Sequence, residues 1–194
     1  MKRSLTSLIA ALVVIMLAAA PSAADDNLLS VNTGLFMPGQ NYDSTYDSLG
    51  GSLGFSFIRV NEYAGFEVGL ASYHLGGSAY DTTAIGLEML VHFQKPDYDF
   101  QPFFAMGMGV MSTDYGYQGG TLSDVGVGFI LKAGARYYFN VKRNDYSFEK
   151  DRYFVSVYLK YFSNSILDDR TPLNTTDLDV GGKIIGIEVG VWTD

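Results

Sequence analysis

The chain of 194 residues has no cysteine. No disulfide can staple it, no thiolate can hold a metal, and thiol catalysis is excluded. Histidine is almost as scarce. His74 and His92, the two present, sit in separate segments and form no ligand constellation, so neither a metal nor a cofactor is expected. Five prolines leave the backbone free for long strands, because proline removes a ladder donor and is kept out of sheet interiors. Positive charge is also short. The formal net charge is -8, which argues against nucleic acid as a partner.

Long apolar runs are missing as well. Leu8 to Ala20 spans thirteen residues, fewer than the roughly 18 that a membrane-crossing helix requires, and no later stretch is uniformly apolar for as long. With Lys2 and Arg3 before the run and Pro21, Ser22, Ala23 and Ala24 after it, residues 1–24 read as a secretory leader cleaved after Ala24. Removing Lys2 and Arg3 with the leader moves the charge from -8 to -10 for residues 25–194, a length that suits one domain.

What the chain does have is 22 glycines, 14 tyrosines and 13 phenylalanines, a composition for strands and aromatic belts. Val125 to Phe139 shows how they are used. One phase of a two-residue period holds Val125, Val127, Phe129, Leu131, Ala133, Ala135, Tyr137 and Phe139. The other holds Gly126, Gly128, Ile130, Lys132, Gly134, Arg136 and Tyr138. The second set is too small and too sparsely charged for a wetted surface, and suits the crowded inside of a narrow barrel. The first then meets lipid.

The same alternation returns in Leu29 to Met37, Leu49 to Ile58, Tyr63 to Tyr73, Thr83 to Phe93, Phe100 to Val110, Tyr153 to Phe162 and Lys183 to Trp192. That predicts an all-β fold: an eight-stranded antiparallel up-and-down transmembrane barrel, apolar outside and small or polar inside. Connections after the second and fourth strands are short. Those after the first, third, fifth and seventh (38–48, 74–81, 112–123 and 163–180) are longer, as when turns face the periplasm and loops face outside. Residues 140–152 read as an extended hairpin.

Glu67, Glu88, Lys132, Arg136, Lys160 and Glu188 are the charges inside the strands, and all six fall in the glycine phase. A Lys or Arg facing lipid near the midplane costs about 2–4 kcal/mol, whereas inside the barrel three acids can pair with three bases. Eight strands leave an interior just wide enough for side chains to fill, so these charges predict a structural plug and no wide pore. Tyr137, Phe139 and Tyr153 are placed in an aromatic girdle at the membrane interface.

Three stretches carry a resemblance: Arg59-Val60-Asn61-Glu62-Tyr63 leading into Gly65-Phe66-Glu67-Val68-Gly69, then Gly134-Ala135-Arg136-Tyr137-Tyr138-Phe139, then Leu178-Asp179-Val180-Gly181-Gly182. In these the chain resembles the small OmpA/OmpX-type outer-membrane barrels. The resemblance implies the outer membrane of a Gram-negative bacterium, contact with its lipid and lipopolysaccharide, passage through the outer-membrane assembly machinery, and a monomer, and it is nearly silent on activity. The residues themselves lead to the expectation of a porin-like cell-envelope protein without catalysis, whose surface loops, with tyrosine among small polar residues, can meet an extracellular ligand. Such barrels usually end on an aromatic residue, whereas Trp192 is followed by Thr193 and Asp194.

Two rival functions are visible. Tyr161-Phe162-Ser163-Asn164 resembles the His-x-Ser-Asn motif of outer-membrane lipid A deacylases, in which the histidine activates the serine. Ser163 and Asn164 match that motif, and Asp177 or Asp179 offers the acid, but Tyr161 stands where the base should be. A soluble lipocalin-like ligand-binding barrel needs the opposite facing, with apolar residues lining a cavity and glycines and ions in water.

Overall fold

The computed structural model describes residues 26–39, 49–61, 63–76, 81–95, 100–117, 120–139, 142–144, 147–149, 153–166 and 181–193. The elements are β1 (Asp26–Pro38), β2 (Gly50–Val60), β3 (Ala64–Leu75), β4 (Asp81–Gln94), β5 (Phe100–Tyr117), β6 (Gly120–Tyr138), β7 (Lys142–Asn144), β8 (Ser147–Glu149), β9 (Tyr153–Ile166) and β10 (Gly182–Thr193). Among the described residues, eight of them close into an antiparallel barrel in the order β1, β10, β9, β6, β5, β4, β3, β2, and β7 pairs with β8 as a separate hairpin. Closure leaves no free sheet edge in the wall, so every strand finds a partner on both sides.

Local chemistry sets the turns at one end. Asn61 accepts from the amides of Tyr63 (3.1 Å) and Ala64 (2.9 Å) through its side-chain oxygen, a side-chain turn that reverses the chain between β2 and β3. The Phe139 amide donates to the Tyr153 carbonyl, so β6 and β9 meet directly, and between them in sequence β7 pairs with β8 as a hairpin. That agrees with the expectation for 140–152. At the opposite end, the Gly39 amide donates to the Gly181 carbonyl at 2.8 Å and holds together the approaches to two longer connections.

The two-residue period puts each phase where its chemistry belongs. Leu35, Leu53, Leu70, Ile85, Met108, Phe129, Val157, Leu159, Ile185 and Ile187 are exposed on the outside. Ser30, Ser56, Glu67, Glu88, Lys132, Arg136, Lys160 and Glu188 are buried on the inside. This is the reverse of the facing a lipocalin-like barrel needs. Inward glycines make room for inward rings. A Cβ added at Gly190 would collide with the Phe154 ring, and one at Gly186 with the Tyr158 ring, each of them the register partner on β9.

The registers also fix the barrel's shape. A row perpendicular to the strands starts at Leu35 and runs through Ile185, Leu159, Ala133, Phe104 and Phe93 to Ala64 on β3. Followed the other way, through Gly51, it meets β3 at His74. The ten-residue offset is the shear. At about 3.3 Å per residue and 4.8 Å between strands, it gives a strand tilt of about 41° and a backbone radius of about 8 Å. Inward side chains from opposite walls therefore touch.

Two expectations are corrected. Residues 112–123 are not a loop, since β5 runs on to Tyr117 and β6 begins at Gly120, with Thr113 paired to Asp124 and Tyr115 to Leu122. Polar residues there weaken the alternation without weakening the backbone ladder. Ser163 does not open a loop either. Ser163 to Ile166 continue β9 against Phe129 to Gly126, because β6 is long enough to offer them a partner. The leader expected over residues 1–24, Asp177, Asp179 and most of the remaining connections lie outside the described residues.

Candidate functional site: the charged interior

The six charges of the glycine phase come together in the lumen. Lys160 Nζ lies 2.5 and 2.6 Å from the two carboxylate oxygens of Glu88, on strands separated by two others around the wall. Tyr73 completes this group, accepting from Lys160 at 2.7 Å and donating to Glu88 Oε1. Lys132 donates to Glu67 Oε1 at 2.7 Å and stands 3.5 Å from Glu188 Oε1. His92 Nδ1 is 3.3 Å from the other Glu67 oxygen. Ser30 donates to Glu188 at 2.6 Å, while Arg136 reaches Glu188 only at 4.0 Å and donates to Gln94 at 3.3 Å.

Three acids and three bases leave the layer neutral, which meets the requirement that buried charge be paired. Rings insulate it. Arg136 lies between the faces of Phe103 (5.1 Å) and Phe154 (4.7 Å), and Lys132 lies 5.2 Å from the Tyr158 centroid. Cation–π contact adds to the attraction in such a dry setting.

Apolar layers close the column at both ends. Toward the loops, Phe36, Tyr73 and Phe162 form a cluster with ring centroids 4.8–6.0 Å apart, filled in by Leu75, Met111 and Ile184. Toward the turns, Leu28, Ile58, Val60, Tyr138 and Phe154 pack together with Trp192. Nothing in this arrangement presents a nucleophile with an accessible base. Among the described residues, no group of His, Asp and Glu is placed to hold a metal ion.

Tyr73, Ser30 and Gln94 join this network without being among the residues expected in it. Parity alone would have found Tyr73, two residues beyond inward Ala71, and Ser30 likewise. Tyr137, Phe139 and Tyr153 are all exposed on the outer face at the turn end, and Tyr137 packs edge-on to Phe139 at 5.4 Å.

The deacylase-like residues are elsewhere. Tyr161 and Ser163 share the outward phase of β9, with Tyr161 exposed, and Asn164 belongs to the same strand. His92 is buried inside on β4, and His74 lies on β3 at 3.3 Å from Thr83. In the ring order β9, β6, β5, β4, β3 both histidines are at least three strands from Ser163. The chain has no other histidine.

A family model described as the outer membrane protein beta-barrel domain matches residues 9–190. No curated protein matches the chain. Among solved structures, the Neisserial surface protein A (NspA) is similar with a TM-score of 0.60 at 11% identity, covering 87% of this chain and 98% of its own. Ail, the attachment invasion locus protein of Yersinia pestis, gives 0.53 at 11% identity over 88% and 99%. The outer membrane enzyme PagL gives 0.50 at 12% identity over 84% and 98%. At these identities the similarity is one of fold.

Proposed function

We propose that this chain, which belongs to the outer membrane protein beta-barrel domain family and is an outer-membrane protein, works without catalysis, as a closed scaffold that strengthens the envelope and holds its loop-end connections at the cell surface. The observation that carries this reading is the filled lumen, in which matched charges lie between two apolar layers. A side-chain-filled barrel of this size has rigidity to offer and no wide passage.

The turn end with Tyr137, Phe139 and Tyr153 faces the periplasm and forms the girdle at that interface, and residues 1–24 serve as the leader that exports the chain. The outward band meets membrane lipid and, in the outer leaflet, lipopolysaccharide. The loop-end connections, which include Tyr42, Tyr46 and Tyr80, meet an extracellular ligand. Tyrosine among small polar residues suits adaptable contact.

The enzyme reading is disfavoured by geometry. Acyl transfer from Ser163 needs a base within hydrogen-bond reach, and both histidines are on the far side of the barrel. Mass spectra of lipid A from cells with the protein, without it, and with Ser163→Ala test this directly. Identical acylation in all three is expected. Loss of an acyl chain that depends on Ser163 would overturn the proposal.

A further inference from the structure

We propose that the barrel contains a built-in water site bounded by Gln101, Arg136, Ser156 and Glu188, and that the Arg136–Glu188 ion pair is made through it. These four side chains come from β5, β6, β9 and β10, neighbours around the wall, and lie in one register row, Gln101 opposite Arg136, Arg136 opposite Ser156, and Ser156 opposite Glu188. Each is at most 1% exposed.

The row is rich in polar atoms that find no protein partner. Arg136 Nε and Nη2, Gln101 Nε2 and Oε1, Ser156 Oγ and Glu188 Oε2 are all buried without a hydrogen bond. Leaving one such group unmet costs about 1–3 kcal/mol, so six in one row call for hydrogen-bond partners that the protein's own side chains do not supply. The 4.0 Å between Arg136 Nη2 and Glu188 Oε2 is too long for a direct bond and is the kind of gap that a water fills.

The mixture of atoms selects the ligand. Donors on Arg136, Gln101 and Ser156 face acceptors on Glu188 and Gln101, and a water can serve both kinds at once. An anion would satisfy the donors while facing the Glu188 carboxylate; a cation would face the guanidinium. Arg136 cannot close the gap by swinging toward Glu188 without leaving the Phe103 and Phe154 faces that hold it. The apolar cluster of Leu28, Ile58, Val60, Tyr138 and Phe154 walls the row off from the turn end, which favours long residence.

Water itself is the probe. In the full-length mature barrel refolded in lipid nanodiscs, water-selected NOE spectra should show cross-peaks of bound-water sign at the Arg136 Nε–H and the Gln101 side-chain amide. Ser156→Val, which removes one hydroxyl and fills its space, should abolish the Arg136 cross-peak while the amide fingerprint of the barrel is retained. Absence of both cross-peaks in the wild-type protein would overturn the site. Persistence of the Arg136 cross-peak unchanged in Ser156→Val would show that any water lies elsewhere, and dependence of the two resonances on added chloride would mean an anion site. Either result overturns the proposal as stated.

Discussion

Lys160 and Glu88 leave strands separated by two others and meet across the lumen with Tyr73 between them. Such a pair is worth little against an apolar replacement but is costly to break on one side, because the abandoned charge stays buried. Lys160→Met is therefore expected to destabilise the barrel by about 3–5 kcal/mol, and the double variant Lys160→Met, Glu88→Leu by clearly less than Lys160→Met alone. Urea unfolding of the refolded barrel in lipid, followed by tryptophan fluorescence, checks the order. That all of these charges turn inward was legible from parity with glycine. Which acid meets which base was not, because the partners lie up to 72 residues apart in sequence and the offset between their strands is summed over the whole ring.

At the scale of elements, β5 and β6 reach farther toward the loop end than alternation shows. Thr113 and Asp114 pair with β4 on one side and β6 on the other, although the segment from Ser112 onward carries Ser, Thr and Asp and reads as a loop. Backbone pairing needs only an adjacent strand with matching direction, and polar side chains outside the apolar band cost it nothing. Amide exchange in detergent micelles should find Thr113 and Tyr115 protected like the centre of β5. Exchange as fast as that of an unpaired loop would contradict the paired register. The continuation of β9 through Ile166 has the same cause.

Taken whole, the barrel has a backbone radius of about 8 Å, and its lumen holds rings at both ends and ion pairs between them. Planar bilayers carrying the refolded protein should show no porin-sized current steps. Sustained large steps from folded barrel would mean that the Phe36, Tyr73 and Phe162 cluster or the layer beneath it moves aside.

By itself the sequence determined the facing of every strand, and with it the fold class and the inward place of the six charges, because side-chain direction depends only on a two-residue period and on the free energy of putting charge or apolar surface against lipid. Only the tertiary structure decided the shear of ten residues, and that offset brings Lys132 to Glu67, Lys160 to Glu88 and four orphaned polar groups into one row. Registers are sums of turn geometry and pairing around a closed ring, and no local pattern contains the sum.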